Sequence, residues 1–378
     1  MSTLATLPAG APGAARRPWA QRWPLALAVL ALFGWLLWSV SARQALLLLV
    51  GIGLGWGLAA ARFGFTTGWR HLVEHRDPSG VYGQIILLAA LSLLSMPLLA
   101  HFPETQAALG PPSVSLLIGA FVFGLAMQIS DGCGSGTLYK AGLGVPLNMA
   151  ILPLFALGSF LGSVHLNGWL GLGALEPVGL VQQWGAGGAL AATLAALALV
   201  AIGVGLWSGQ RFSFRRTPRR WIWGALVIAL FAALNLFIAG QPWGVVYGFG
   251  LWGAKVATAL GLFEPTQNAF WSDPGHAARL HQTLLLDVTS ITNIGILAGA
   301  LWVAPRRPQD AKPLTGQQWL IGLAAGFIMG YSSRLAFGCN VGAMVSGIST
   351  GSLHGWIWVP MAFMGTLIGI RVRRRFGF

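Results

Sequence analysis

Charged side chains and cysteines are scarce in this chain. Only 8% of its 378 residues are Asp, Glu, Lys or Arg, against roughly 25% in soluble domains. Two cysteines cannot build a disulfide framework, and they match no zinc-site spacing. The sequence also contains no phosphate-binding loop, dinucleotide fingerprint or catalytic-triad order, and its seven histidines show no metal-ligand spacing. We therefore expect neither a metal nor a cofactor.

Apolar residues dominate instead, at 55% of the chain. They form repeated runs near the ~20 residues that a membrane-spanning helix needs. A glycine-rich segment, 243–261, is predicted to be re-entrant, because counting it as a crossing would disturb the distribution of basic loops. The sequence predicts an all-α polytopic membrane protein with about ten transmembrane helices, near residues 24–41, 44–61, 79–100, 113–130, 145–165, 184–208, 221–239, 281–304, 316–337 and 353–370.

Lys and Arg are distributed unevenly between these runs. Two predicted outside loops, 101–112 and 166–183, contain neither residue. By the positive-inside rule, both termini are predicted to be cytoplasmic. The same distribution accounts for the net charge of +14 without a nucleic-acid partner. Arginines are concentrated in the predicted inside segments 62–78, 209–220, 305–313 and 371–378.

One stretch of sequence occurs twice. Gly124–Gly136 and Gly330–Gly342 align without a gap at the opening glycine, at the Gly-Cys pair and at a later glycine. The span count places the two copies in opposite senses, so we predict two inverted-topology repeats of the kind found in many transporters. A pair of glycines also follows each copy, namely Gly158 and Gly162, then Gly365 and Gly369.

The repeats suggest a division of the chain. A signal peptide is the alternative interpretation of the leader, but its apolar run is long and a membrane protein follows it, so we predict a retained helix. The expected parts are a disordered basic tail (1–22), an extra transmembrane helix (23–43), repeat 1 (44–208), a cytoplasmic basic linker (209–220), repeat 2 (221–370) and a basic cytoplasmic tail (371–378).

The two cysteines, Cys133 and Cys339, occupy equivalent positions of the duplication. Small residues after each one predict a helix break and a short half-helix, whose N-terminal N–H groups favour an anion. A protonated thiol could donate a weak hydrogen bond there. The alternatives are a tight helix-packing site for the glycines and a small buried hydrophobe for each cysteine. The predicted path comprises Cys133, Cys339, Gly132, Gly134, Ser135, Gly136, Thr137, Gly338, Asn340, Val341 and Gly342.

Several charged residues fall within or beside the apolar runs. The cations could attract substrate, and the carboxylates Asp131 and Asp287 could couple transport to protons. The alternative is an interfacial position with the charged group in water, which we favour for Lys140, Lys255 and Asp287 and leave open for Arg334. The candidate charge partners are Arg62, Lys140, Arg334 and Lys255.

Three segments resemble the sulfur-transport (YeeE/YedE) family of membrane proteins. Asp131–Gly142 resembles the family signature GGC-x-x-G-T-x-Y-R-A-G, and Phe337–Gly342 resembles its second GGC-x-x-G. Ala61–Arg70 resembles the early segment RFC-x-x-G-x-R. The resemblance covers about residues 44–370 and implies a bacterial inner-membrane transporter with inverted repeats. Its implied substrate is thiosulfate or a related sulfur-containing anion, with the motif cysteines lining the path.

The match to this family is incomplete at one position. Gly64 stands where members with three cysteines carry the first one, so it joins the predicted path as a departure from the family pattern. A selenium compound or another small anion is therefore an alternative substrate. The resemblance also raises a separate cytoplasmic sulfur-carrier protein as a partner. Two other functions remain open: a membrane sulfurtransferase or redox protein that uses a cysteine persulfide, and a structural subunit in which both cysteines only pack.

Overall fold

The computed structural model describes residues 22–213, 217–304 and 313–378. Within these ranges the regular secondary structure is helical, with two isolated β-bridges. The helices are α1 (Trp23–Ser39), α2 (Ala42–Ala61), α3 (Phe65–His75), α4 (Ser79–His101), α5 (Val114–Ile129), α6 (Gly134–Gly142), α7 (Pro146–Leu170), α8 (Leu180–Ser208), α9 (Arg219–Ala239), α10 (Val246–Ala259), α11 (Pro274–His281), α12 (Val288–Val303), α13 (Gly316–Leu335), a π-helical segment (Asn340–Ser346), α14 (Gly347–Ser349) and α15 (Leu353–Arg375).

The helices confirm the predicted all-α polytopic membrane fold. Eight described helical stretches are long and apolar enough to cross a membrane, and α1 and α12 are shorter apolar helices of 17 and 16 residues. Together they agree with the predicted number of about ten. The predicted tail 1–22 lies outside the described residues except for Arg22, and so do parts of the predicted linker and basic loop, residues 214–216 and 305–312.

Short helices also lie between the membrane-spanning helices, and two of them, α10 and α3, fall in segments for which the sequence made a prediction. The predicted re-entrant segment forms α10, whose 14 residues extend about 21 Å, short of the ~30 Å hydrocarbon core. The predicted inside segment 62–78 was expected to be a loop, which was wrong, because it contains α3. A search for long apolar runs misses α3, since the helix has only 11 residues and carries Arg70 and two histidines among its apolar residues. Its buried residues are Phe65, Thr66, Gly68, Trp69 and Leu72.

Helix packing follows a pseudo-twofold pattern. Helices α2 to α7 correspond in order to α9, α10, α12, α13, the segment 340–349 and α15. Helix α5 packs on α15, and their counterparts α13 and α7 also pack on each other. Likewise α2 packs on α12, and their counterparts α9 and α4 are in contact. In the same way, α3 with α4 matches α10 with α12, and α3 with α15 matches α10 with α7. Each half of the chain therefore completes its packing with helices of the other half.

The corresponding helices run in opposite directions. In the contact between α2 and α9, Gly53 lies against Phe231 near the middle of both helices, and Ala61, at the end of α2, lies against Gly224. Residue numbers rise along α2 while they fall along α9, so this equivalent pair is antiparallel. An antiparallel arrangement of equivalent helices is the geometry of inverted repeats.

The loops collect on two faces of the helix bundle. The C-terminal ends of α3 and α15 meet through an ion pair in which Arg374 Nε lies 2.8 Å from Glu74 Oε1. The end of α8 reaches the same side, because Arg76 Nη1 donates to the carbonyl of Trp207 at 3.1 Å. We call this side the basic face. The opposite face contains the loops 102–113, 171–179, 240–245 and 260–287.

Glycines bring the crossing helices into backbone contact. A Cβ atom added to Gly124 would lie 1.9 Å from the carbonyl oxygen of Ala362, and one added to Gly330 would lie 2.2 Å from that of Phe155. These two contacts are equivalent under the pseudo-twofold axis. Small residues are the means by which membrane helices approach closely. Close helix packing thus accounts for the glycines that open the duplicated stretches and for those that follow them, Gly124, Gly158, Gly162, Gly330, Gly365 and Gly369.

The Gly124 crossing generates a stability prediction. In Gly124→Ala the added methyl group forces α5 away from α15, so we expect the free energy of unfolding to fall by about 1–3 kcal/mol. The measurement is the midpoint of thermal aggregation of the purified protein in detergent. The control is Gly203→Ala in α8, where a Cβ atom meets nothing within 4 Å and the helix propensity of Ala exceeds that of Gly by about 1 kcal/mol. Equal midpoints for the two variants would contradict close packing at the crossing.

Candidate functional site

Each cysteine begins a short helix in the interior of the protein. Cys133 is the N-cap of α6, with φ −83° and ψ −172°. Cys339 is the N-cap of the π-helical segment, with φ −86° and ψ −168°. Both side chains are fully buried. The predicted break and half-helix at each cysteine are thus present, with nearly identical backbone geometry in the two repeats.

The position before each cysteine has no room for a side chain, which explains the glycine there. A Cβ atom on Gly132 would lie 2.9 Å from the backbone nitrogen of Thr137, and one on Gly338 would lie 2.5 Å from that of Ala343. Gly338 also has φ +150°, a conformation that other residues rarely adopt. Both glycines therefore let the first turn of the following helix fold back tightly against the break.

The two half-helices meet at their N-termini. A Cβ atom on Gly134 would lie 3.2 Å from Cys339 Sγ, so the first residue of α6 touches the second cysteine. At the first cysteine, the Gly136 N–H group donates to Cys133 Sγ at 3.4 Å, and Ser135 Oγ lies 3.4 Å from the same sulfur. The structure brings most of the predicted path residues into one buried cluster, in which the N–H groups of two helix ends converge.

Polar atoms in this cluster lack partners. Thr137 Oγ1 and both side-chain amide atoms of Asn340 are buried without a hydrogen-bond partner among the described residues. Leaving a buried polar group unpaired costs about 1–3 kcal/mol, and such groups in native proteins usually bind water or a ligand. The residues beside the cysteines therefore present buried polar atoms whose hydrogen-bonding capacity is unused among the described residues.

A cavity of about 180 Å³ lies at the opposite face, and of the predicted path residues Gly342 lines it. Gly342 and Ser346 of the second half-helix segment lie in its wall, whereas Val341 is buried beside them. Trp243 also lines the cavity, and its Nε1 atom is another buried donor without a partner among the described residues. The residues that line the cavity are Ala108, Leu109, Pro242, Trp243, Gly244, Phe337, Gly342, Ser346 and His354.

The structure shows a further duplicated segment that the sequence analysis missed. Phe63–Gly68 and Trp243–Gly248 both have an aromatic residue followed by two glycines four residues apart. Gln84 Nε2 donates to the carbonyl of the third residue of the first segment at 3.1 Å. Asn293 Nδ2 donates to the carbonyl of the third residue of the second segment at 2.9 Å. The shared aromatic-Gly-x-x-x-Gly pattern was the available signal.

This correspondence explains where Gly64 lies. Gly64 is buried at the N-cap of α3, and an added Cβ atom would lie 3.0 Å from Thr67 Oγ1. Its counterpart Gly244 faces the cavity, with nothing within 4 Å of an added Cβ atom. Each repeat thus has a glycine at or next to the N-terminus of its first short helix, which is α3 in repeat 1 and α10 in repeat 2.

Lys140 lies in an ion cluster at the basic face. Its Nζ atom lies 2.6 Å from Asp131 Oδ2, so the preferred prediction of a charged group in water was wrong for Lys140. The same carboxylate binds Arg70 at 2.7 Å and Arg373 at 3.4 Å. We call these four residues the Asp131 cluster. Neither arginine was predicted as a site residue, because in the sequence Arg70 indicates only a motif and an orientation, and Arg373 only an orientation.

Two other candidate charge partners lie toward the opposite face. Lys255 Nζ donates to the carbonyls of Leu280 at 2.6 Å and Gln282 at 2.5 Å, so it binds the C-terminal end of α11. Arg334 is half-buried, with its guanidinium 4.9 Å above the ring of Phe270. The Arg334 Nε atom has no hydrogen-bond partner among the described residues. Arg334 is therefore a cation held by aromatic contacts.

The remaining charged candidates have structural positions. Arg62 is exposed at the C-cap of α2 in a left-handed conformation, with φ 48°. Asp287 is buried and caps α12 by accepting from the Ser290 N–H group at 2.7 Å. It also pairs with Arg279 Nη1 at 3.1 Å. The preferred prediction of a charged group in water was therefore wrong for Asp287 as well.

Known proteins resemble this chain over most of its length. The thiosulfate transporter TsuA of Spirochaeta thermophila is 27% identical over 353 residues, which cover 86% of this chain and 98% of that protein. The TsuA protein of Escherichia coli is 23% identical over 87% of this chain and 95% of its own length. The probable transporter YedE of Salmonella typhimurium is 27% identical over 43% of this chain and 41% of its own length. The family model for sulphur transport matches residues 60–368, and the chain therefore belongs to the sulphur-transport (YeeE/YedE) family of membrane proteins.

Proposed function

We propose that this protein carries thiosulfate, or a closely related small sulfur-containing anion, across the membrane along a path past Cys339 and Cys133. Family membership and the TsuA relatives support the class of substrate. One observation of the structure supports the proposed path: two buried cysteines begin half-helices that meet beside polar atoms without hydrogen-bond partners among the described residues. The cavity at the opposite face is the entrance, and the basic face is the exit.

The cluster offers contacts that replace the water around an anion. Each half-helix directs its N-terminus toward the cysteines, and the helix dipole there is equivalent to about half a positive charge. The Asn340 amide and the Thr137 hydroxyl supply further donors whose hydrogen bonds are unused in the structure. Several modest contacts suit a transported ion, since binding strong enough to trap it would stop release.

The thiols act in this proposal as protonated donors that also contact the sulfur of the substrate. An S–H group is a weak donor, so each cysteine contributes contact and fit without fixing the anion. No covalent bond to the substrate is needed. The sulfurtransferase alternative differs at this point, since it requires a persulfide on one cysteine.

The proposal also assigns a direction of transport and a partner. We place the basic face in the cytoplasm by the positive-inside rule, with both termini on that side. The anion would leave there for a separate cytoplasmic sulfur-carrier protein. With Gly64 in place of the first motif cysteine, the path uses two thiols.

The first prediction concerns uptake of labelled thiosulfate into proteoliposomes. Each Ala variant loses both the weak thiol donor and the contact with the sulfur of the substrate. A combined loss of about 1.4 kcal/mol corresponds to a tenfold fall in uptake, so we expect losses of up to that size in Cys133→Ala and in Cys339→Ala. Replacement of either cysteine by Ser keeps a hydroxyl donor and is expected to retain more uptake than Ala. The matched control is Ser39→Ala, at the exposed end of α1, with equal expression verified for all variants.

The outcomes separate the rival functions. Parent-like uptake in the double variant Cys133→Ala/Cys339→Ala would refute the cysteine path and favour a packing role. Loss of uptake in the Ser variants, together with a persulfide adduct detected by mass spectrometry, would favour the sulfurtransferase. Absence of thiosulfate uptake by the parent protein, with binding of selenium compounds or other anions, would change the substrate.

A second prediction concerns orientation. His75, at the basic face, has a side chain 67% exposed, and Leu175, at the opposite face, is 72% exposed. On intact cells we expect a membrane-impermeant maleimide to label Leu175→Cys but not His75→Cys, and inside-out vesicles to give the reverse. The buried native cysteines provide the unlabelled control. The reverse labelling pattern would place the basic face outside.

A further inference from the structure

The Asp131 cluster occupies the pseudo-twofold counterpart of the open cavity. Phe337 and Ser346 line the cavity at the opposite face. The offset that relates the two cysteines also relates Asp131 to Phe337 and Lys140 to Ser346. The backbone supports this alignment, because Asp131 has φ 54° and Phe337 has φ 56°, both left-handed. Phe337 and Ser346 line an open cavity in one repeat, whereas the equivalent residues of the other repeat form an ion pair.

The cluster closes the basic-face end of the path. Asp131 lies two residues before the first motif cysteine, and its carboxylate binds side chains from α3, α6 and α15. Lys140 also donates to the backbone carbonyl of Asp131, which ties the start of the break to the end of α6. These bonds join the elements that would have to separate for an anion to leave beside Cys133.

The charge of the cluster does not balance. Three cations surround one carboxylate, and the Arg70 Nη1 atom is buried without a partner among the described residues. The carboxylate is the most exposed member, with 31% of its side chain accessible against 12% to 18% for the cations. A dianion would neutralise the three cations better than one carboxylate does.

We propose that the three cations of the Asp131 cluster form an exit site for the transported dianion, and that Asp131 closes this site as a resident carboxylate which the dianion displaces. This inference rests on the proposed function, because it assigns the last binding step of the same path. The exit site binds small divalent oxyanions through guanidinium and ammonium groups, in contrast to the thiols and half-helix ends at the centre.

Removal of the carboxylate leaves the surrounding structure supported. Arg374 and Glu74 join α15 to α3 independently of the cluster. Arg373 Nη1 also donates to the carbonyl of Gln128 at 2.9 Å. Asn tolerates left-handed backbone conformations, so Asp131→Asn is suited to the φ angle of 54° at this position.

The test measures access to Cys133 in a Cys339→Ser background, where it is the only cysteine. Two methanethiosulfonate reagents, the anionic sulfonatoethyl and the cationic trimethylammonium-ethyl forms, are applied to the basic face in oriented vesicles. In Asp131→Asn we expect the rate of labelling by the anionic reagent to rise on the order of tenfold, and the rate of the cationic reagent to rise less. The control is Asp287→Asn, which removes a carboxylate paired with an arginine at the opposite face.

The proposal would be overturned if the two variants, Asp131→Asn and Asp287→Asn, were labelled by the anionic reagent at rates within about twofold of each other. A difference of that size is expected from a weak exposed charge alone, and the cluster would then have only a structural role. If Asp131→Asn does not fold, Arg373→Gln serves instead. That variant is expected to lower the ratio of anionic to cationic labelling severalfold, and an unchanged ratio would overturn the proposal. These measurements use no transport substrate, so absence of thiosulfate uptake by the parent would refute the proposed function separately.

Discussion

A membrane protein must satisfy its backbone polar groups internally, because the hydrocarbon core offers no water to replace a missing partner. The breaks before Cys133 and Cys339 leave helix ends at depth, and the rest of the fold shields them. Glycine crossings such as Gly124 on Ala362 pack the long helices backbone against backbone around the half-helices. Among the described residues, the buried polar atoms without a partner include those of Thr137 and Asn340, which lie beside the two breaks.

Twofold repetition gives this shielded interior two similar ends, and sequence divergence makes the ends different. The end bounded by Phe337 and Ser346 is an open cavity of uncharged residues and one histidine. The equivalent residues at the other end, Asp131 and Lys140, form an ion pair. A transporter needs an entrance and an exit that open under different conditions, and different chemistry at equivalent positions supplies such a difference without altering the shared backbone.

The sequence was informative where its signal is local or periodic. Apolar runs predicted the spans, and the repeated Gly-Cys pair predicted the breaks at Cys133 and Cys339. Short elements were harder to predict, since α3 has too few residues and too many polar ones to be detected as an apolar run. The sequence similarity of α3 to α10 consists of two glycines and an aromatic residue. This pattern is too short to recognise without the equivalent hydrogen bonds that Gln84 and Asn293 donate to backbone carbonyls.

By itself the sequence determined the membrane fold, the duplication and the resemblance to the sulphur-transport family, because hydrophobic length, charge between spans and short glycine motifs are properties of contiguous residues. Only the tertiary structure decided which charges meet. Arg70, Asp131 and Arg373 lie far apart along the chain and converge through packing of α3 and α15 near the first break. Ion pairing depends on distances of a few ångströms, and these are set by the crossing of helices distant in sequence.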